Sequence, residues 1–514
     1  MQETLAAITR FFQQERVQSA TAVLLGVLMV PAFAPFHLWP LAVLSLAGAF
    51  LLWRGHSPRR ALFLGWLYGV GMFGAGTYWT YISLHQYGEV PLPLALLLMA
   101  GLVAAMAAFP AVVAWAAARL APEAGWRREA VILPALWGLL EWVRGWFLSG
   151  FPWLSVGYSQ TDAPLAGLAP VAGIYALGAL LALSAGLILL LARGGWLQRL
   201  IPGAALAVIW TAGVLLQPLE YSSPTGEPVE TAMIQGNISQ DRKWLPEERD
   251  RTIDLYRDYT REYWDQADVI VWPEAALPVL YHEVAHSVLR PLEEESIEKG
   301  TDLLMGILSF EEGRYYNNIL QLGESRRVYR KHHLVPFGEF FPVPDFIREW
   351  MRLMNLPHSD FDRGARDQDL LEMAGHPIGA SICYETVFAS HIIRPLPEGR
   401  MLVTVSNDAW FGDSIAPHQH LQIARMRSIE TRRPMIRATN NGISAFIDHH
   451  GQIIDTFPQF EEGVLVGSVQ PREGATPYVR MGNWPVVILL SLVLLLGARP
   501  WRMHLSWPAF LKKH

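Results

Sequence analysis

A single cysteine, Cys383, stands among 514 residues, so no disulfide can form within the chain and one free thiol has to be explained. Charge is also scarce. Only 17% of residues are charged against 51% apolar, which is rich for a wholly water-soluble protein and too long a chain for one ordinary domain. Acidic residues nearly vanish toward both ends, with seven of 47 before Pro218 and none after Trp484, so the middle is the water-soluble part. No long basic run occurs outside helix flanks and the formal net charge is -6, which leaves no electrostatic footprint for nucleic acid. The His332-His333, His418-x-His420 and His449-His450 groups lack a Cys or carboxylate cluster to complete a tetrahedral set, so no metal is expected. Neither an internal repeat nor a low-complexity tract is evident.

What is abundant is apolar sequence in long stretches. Seven precede Pro218, at 20–36, 38–53, 61–84, 92–120, 130–148, 163–192 and 200–216, and an eighth covers 484–498. A bilayer core of ~30 Å asks for about 20 apolar residues per helix, so the first two and the last are short, helped by flanking Trp and Pro. About eight membrane spans are expected. Because further spans follow at once, the first reads as a retained anchor and not a cleaved signal. Basic residues sort by loop: Arg10 and Arg16, then Arg54, Arg59 and Arg60, then Arg119, Arg127 and Arg128, then Arg193 and Arg199, and finally Arg499, Arg502, Lys512 and Lys513. The alternate loops, near His37, at 85–90 and at 149–162, carry no Lys or Arg. Positive residues stay inside, which places both termini in the cytoplasm and residues 218–482 outside. The expected division is 1–217, 218–482 and 483–514.

The outer segment alternates strand-like runs (229–235, 268–272, 302–307, 378–383, 401–406, 443–448, 463–469) with helical ones (247–266, 280–299, 418–431), which is an α/β domain. Three of its strand ends each deliver a reactive residue, namely Glu274, Lys331 and Cys383. Groups placed just past strand ends can converge at one mouth. A thiolate to attack, a carboxylate to take its proton and an ammonium to stabilise an oxyanion would together form an acyl-transfer apparatus. Taken singly, each has a plainer reading: a buried small hydrophobe for Cys383, a helix N-terminal carboxylate for Glu274, a solvated charge for Lys331.

The flanking residues strengthen the joint reading. Val271-Trp272-Pro273-Glu274, the run from Tyr329 to Glu339 containing Lys331-His332-His333-Leu334-Val335-Pro336-Phe337-Gly338, and Ile382-Cys383-Tyr384-Glu385 resemble the Glu-Lys-Cys motifs of the nitrilase superfamily. With seven spans before and one after, the chain resembles that superfamily's membrane-embedded branch, the apolipoprotein N-acyltransferases. Further matches are Gln235-Gly236-Asn237-Ile238 with Lys243-Trp244, Ser406-Asn407-Asp408-Ala409-Trp410-Phe411-Gly412, Thr439-Asn440-Asn441-Gly442, Arg144-Gly145-Trp146, Gly150-Phe151-Pro152-Trp153 and Tyr158-Ser159-Gln160.

The resemblance implies an α-helical transmembrane bundle carrying an extracytoplasmic α-β-β-α sandwich in a bacterial cytoplasmic (inner) membrane. It makes Cys383 the nucleophile, Glu274 the general base and Lys331 the oxyanion stabiliser. Glu339 and Glu385 stand beside them, with Tyr384, Asn317, Trp244, Trp410 and Phe411 shaping or covering the site. Glu339 and Glu385 have a second reading, in which they neutralise Lys331. Trp410-Phe411 fits either ordinary packing or a mobile hydrophobic lid over a lipid chain. Glu141 and Arg144 fit either a structural ion pair or a lipid-headgroup contact. The implied partners are a membrane phospholipid donor, a diacylglyceryl apolipoprotein acceptor and the bilayer, with no cofactor, for a monomeric enzyme. A membrane-tethered amidase or nitrile hydrolase is the alternative enzyme, and a lipid-binding protein with a vestigial domain the non-catalytic one.

Overall fold

The computed structural model describes residues 14–193, 195–340 and 361–499. Arg10, Arg502, Lys512 and Lys513, used above for orientation, lie outside the described residues. Each apolar stretch contains a helix: Glu15–Met29, Pro40–Leu52, Pro58–Gly76, Leu92–Leu120, Leu133–Arg144, Ala169–Leu191, Trp196–Leu216 and Trp484–Ala498. Among the described residues three segments, Leu92–Leu120, Pro164–Leu191 and Trp196–Leu216, are long and apolar enough to cross a membrane; Pro40–Leu52 and Trp484–Ala498 are apolar but shorter. Prolines at the first turns of Pro40–Leu52 and Pro58–Gly76 fix where those helices can begin. Close approach relies on missing side chains, since a Cβ on Gly71 would lie 2.1 Å from the Val23 carbonyl oxygen.

The described residues between Ser222 and Gly474 hold fourteen strands, β1 (Ser222–Pro224), β2 (Val229–Gln235), β3 (Val269–Val271), β4 (Asp302–Glu311), β5 (Arg314–Leu322), β6 (Arg327–Arg330), β7 (Leu371–Met373), β8 (His376–Ile382), β9 (Met401–Ser406), β10 (Met435–Thr439), β11 (Ala445–Ile447), β12 (Ile453–Thr456), β13 (Gly463–Val469) and β14 (Arg472–Gly474). Two six-stranded sheets form, ordered β13-β2-β3-β4-β5-β6 and β12-β11-β10-β9-β8-β7, and β1 pairs with β14. The central strands run parallel, β2 with β3 and β4 in one sheet and β8 with β9 and β10 in the other. Parallel strands are buried on both faces and read as apolar runs, which is why β2, β9 and β3 were legible.

Met233, Val271, Leu304 and Ile319 of the first sheet meet Ile382, Val403, Val405 and Ile436 of the second, giving the inner core. Helices Pro246–Tyr263 and Arg290–Lys299 cover the first sheet's outer face. Helix Ala416–Thr431 covers the second and also packs on the apolar bundle through Ile423, Met426 and Ile429. The α-β-β-α layering thus continues directly into the helical region. The expected helix at 280–299 is interrupted by a wider turn at Ala285–Leu289.

Candidate active site

Three strands end at the same mouth. β3 is followed by Trp272-Pro273-Glu274, β6 by Lys331 and β8 by Cys383. The chain turns sharply after β3 and β8, and after β2 beside them: Ala275, Cys383 and Asn237 have φ of 45°, 50° and 49°. Left-handed backbone at a non-glycine residue costs about 1–3 kcal/mol and persists only where surroundings enforce it, typically at functional sites.

Glu274 is held from three sides. Its Oε1 accepts from Lys331 Nζ at 3.0 Å and from Asn317 Nδ2 at 2.8 Å, and its Oε2 accepts from the Asn407 backbone N–H at 2.9 Å. Lys331 Nζ also donates to Glu339 Oε1 at 2.7 Å, and Glu339 Oε2 accepts from the Val335 N–H at 2.8 Å. Lys331 is only 1% exposed. Burial alone would lower its pKa, but the Glu274 and Glu339 carboxylates outweigh that and hold it above the ordinary range, so it stays a cation. Burial pushes the Cys383 thiol well up, Glu274's negative charge adds to the effect, and Lys331 opposes it. The resting sulfur is therefore a thiol that must hand its proton to a base as it attacks.

Glu339 and Glu385 divide the roles anticipated for them. Glu339 pairs with Lys331. Glu385 instead accepts from the backbone N–H groups of His332, His333 and Ile382 at 2.7, 2.9 and 2.8 Å, and from the Tyr329 hydroxyl at 2.8 Å. It ties the segment after Lys331 to the strand before Cys383. Although burial opposes ionisation, the His391 ring and these N–H donors hold its carboxyl below the ordinary value.

Tyr384 donates to the Gly150 carbonyl at 2.9 Å, joining the nucleophile loop to the helical region, and His333 Nε2 reaches the Ser149 carbonyl at 2.8 Å. Phe411 packs on Trp79 and Trp153, with ring centroids 4.8 and 6.2 Å apart, while Trp410 is more exposed and its carbonyl accepts from Ser83 Oγ at 2.7 Å. Trp244 is half-exposed. Glu141 and Arg144 form a buried pair at 3.8 Å; Arg144 donates to the carbonyls of Phe151 and Trp153 and Glu141 accepts from the Val156 N–H, so the pair shapes the 151–156 loop.

Sequence reasoning passed over several residues near this mouth. The Asn407 N–H lay within a quoted motif, but a backbone donor has no side-chain signal. Lys243, quoted only as part of a motif, is fully buried with no hydrogen-bond partner for its Nζ among the described residues, and burial pushes it down to about 8, with Glu274 near enough to oppose the shift. Of the histidine pairs, His449 and His450 gather with Glu220, whose Oε1 lies 3.2 and 2.9 Å from their Nε2 atoms. Arg472 already binds that carboxylate's other oxygen at 2.7 Å.

Two family models match the chain. The "Apolipoprotein N-acyltransferase N-terminal domain" covers residues 25–187, and "Carbon-nitrogen hydrolase" covers 230–478. The chain is similar to apolipoprotein N-acyltransferases from Methylococcus capsulatus (44% identity, 91% of this chain and 93% of the relative), Azotobacter vinelandii (45%, 92% and 93%) and Pseudomonas aeruginosa (43%, 92% and 94%).

Proposed function

The chain belongs to the apolipoprotein N-acyltransferase family, and from that premise we propose that Glu274, Lys331 and Cys383 work within it as one acyl-transfer unit. The enzyme is an acyltransferase. It moves a fatty acyl chain from a membrane phospholipid, through a cysteine thioester, to the α-amino group of the N-terminal diacylglyceryl-cysteine of apolipoproteins.

The observation that carries the residue assignment is the shared carboxylate. Glu274 is bound by Lys331, Asn317 and Asn407 and acts electrostatically on the partly buried Cys383 thiol. In the first half-reaction Glu274 takes the thiol proton as sulfur attacks the ester carbonyl. Lys331 stabilises the oxyanion that forms. Collapse breaks the acyl–oxygen bond, Glu274 returns the proton to the departing glycerol oxygen, and lysophospholipid leaves. In the second half-reaction the acceptor's neutral amine attacks the thioester, Glu274 takes a proton from nitrogen, and the expelled sulfur is reprotonated. One nucleophile used twice lets two bulky lipids occupy one site in turn. Asn317 orients Glu274 and Glu339 balances Lys331. Trp244, Trp410, Phe411 and Tyr384 line the approach.

The topology completes the reading: residues 1–217 supply seven spans, 218–482 the catalytic domain outside the bacterial inner membrane, and 483–514 a last span with a cytoplasmic tail, in a monomer. The support is the alternation of Arg-bearing and Arg-free loops. A reporter fused near Gly226 should be active only outside the membrane, and one at the C-terminus only inside; the reverse at either site overturns this topology. For the chemistry, lysophospholipid release is measured with and without apolipoprotein. Release that is stoichiometric alone and catalytic with acceptor supports transfer, whereas catalytic release to water alone would make the enzyme a hydrolase.

A further inference from the structure

A buried polar chain runs beneath Cys383 that the chemistry above leaves unused. His420 Nε2 lies 3.2 Å from the Cys383 carbonyl oxygen, and its Nδ1 lies 3.1 Å from Asp408 Oδ1 and 3.2 Å from Arg437 Nη2. Arg437 Nη2 donates to Asp408 Oδ2 at 2.6 Å, and Ser406 Oγ donates to Asp408 Oδ1 at 2.7 Å. None of Ser406, Asp408, His420 and Arg437 is more than 1% exposed.

The protons in this chain follow from the partners. Burial and the Arg437 cation push the His420 pKa down, so the ring is neutral and carries one N–H. Nδ1 lies between the acceptor-only Asp408 carboxylate at 3.1 Å and the Arg437 donor at 3.2 Å, whereas Nε2 faces the Cys383 carbonyl, which can only accept; a proton on Nε2 serves both ring nitrogens, because Nδ1 then accepts from Arg437 while Asp408 keeps its bonds from Arg437 and Ser406. That N–H points at the carbonyl of Cys383, whose φ of 50° departs from the extended geometry of Ile382 immediately before it. A left-handed residue at a strand end needs its peptide held, and His420 supplies the donor.

The other side of the same helix is fixed by the apolar bundle. Next to His420, Gln419 accepts from the indole N–H groups of Trp79 and Trp153 at 3.3 and 2.7 Å and donates to the Gly76 carbonyl at 3.2 Å. The start of helix Ala416–Thr431 is thus clamped between the nucleophile's backbone and two membrane-region tryptophans.

We propose that His420 is a positioning residue for the nucleophile, its Nε2–H holding the Cys383 peptide in the turn that faces the thiol toward Glu274 and Lys331, with Gln419 making that hold depend on the membrane bundle. The inference rests on Cys383 being the nucleophile. A displacement of about 1 Å at a reacting group costs on the order of 100-fold in rate, and that is the loss expected for His420→Ala in single-turnover acylation by phospholipid in detergent micelles. The KM for phospholipid should stay within about twofold, because the lipid site is untouched. Iodoacetamide alkylation of Cys383, which needs no lipid, should slow in parallel.

His420→Gln retains an N–H donor and should restore most of the rate, while His420→Met, similar in bulk without a donor, should not. That pair decides the matter if the Ala variant fails to fold. Gln419→Ala should move acylation and alkylation the same way by a smaller factor. Equal acylation rates in the Gln and Met variants, or a loss expressed only as a raised KM, would overturn the positioning role. Persistent transfer by Cys383→Ala would instead remove the nucleophile assignment itself.

Discussion

Helix Trp196–Leu216 and helix Ala416–Thr431 invert the usual rule for a soluble protein. The first is strongly apolar, yet only 11% of its most apolar stretch is buried. The second carries Arg425, Arg427 and Glu430, yet 15 of its 16 residues are buried. Each makes sense only with its own surroundings. The first is long and apolar enough to cross a membrane, a setting in which outward Val208 and Leu215 cost nothing. The second is wedged between a sheet and the bundle, where Arg427 pairs with Glu430 at 3.0 Å and Glu430 accepts the Ile174 N–H at 2.9 Å. That N–H is freed by a break at Gly173, whose φ of 71° and contact with the Tyr478 ring leave no room for a side chain. The catalytic domain is therefore a structural partner of the bundle, and not cargo tethered to it.

The largest expected effect is at the charge cluster. Lys331→Met leaves the buried Glu274 and the partly buried Glu339 carboxylates without their shared cation, so transfer should be abolished and melting should fall by the equivalent of about 3–5 kcal/mol, as when one member of a buried pair is removed. Cys383→Ala should be equally inactive while melting near wild type, since a small apolar side chain fits where the thiol sits. If the Lys331 variant kept near-native rates, its place in the unit would be lost.

Next in size is a contrast of solvents. Val208 is 68% exposed on the apolar helix and Ile454 is 57% exposed on the outer domain. Val208→Asp should cost about 2.5–3.5 kcal/mol in an insertion assay if residue 208 lies mid-bilayer. Ile454→Asp should change stability by no more than about 0.5 kcal/mol. Similar penalties at both positions would mean that the two surfaces meet the same solvent.

Smaller is Glu385→Ala, which strips a charged acceptor from three backbone N–H groups and should cost roughly 1.5–3 kcal/mol, read as melting temperature. Glu385→Gln should recover part of it, and a neutral Ala variant would refute the tie between Lys331's segment and Cys383's strand.

An effect that shows only as a pH slope comes from Lys243. Its folded pKa, about 8, lies below the unfolded value of about 10.4, so between them the unfolded chain binds more protons and stability should rise with pH. The penalty is fully present below pH ~8 and gone above pH ~10.5, and it amounts to ~3 kcal/mol. Lys243→Met should be the more stable form at pH 7 and lack this slope in melting curves taken from pH 7 to 10. Parallel curves for the two proteins would contradict the assigned burial.

Much of this was legible before any coordinates. The apolar stretches each contain a helix, and β2, β9 and β13 fall where continuous or alternating apolar residues place them. β5 escaped because Asn317 and Asn318 break its apolar run, and those two are buried polar residues, Asn317 on Glu274 and Asn318 on Ser309. At such places local pattern fails because function has put a polar group inside. The left-handed turn at Cys383 had no glycine to announce it, and the contact of His420 with Cys383 spans 37 residues of chain. Motifs supplied Glu274, Lys331 and Cys383; the backbone donor from Asn407 and the buried chain beneath the thiol required the fold.

Whether Cys383 carries the acyl group between two lipids is decided by mass spectrometry of the protein after incubation with phospholipid alone. An acyl adduct is expected on the peptide bearing Cys383, stable in water yet discharged by hydroxylamine or by apolipoprotein, with lysophospholipid released beforehand. Demonstrated transfer with no adduct after rapid quenching would contradict it and point to direct attack by the acceptor amine.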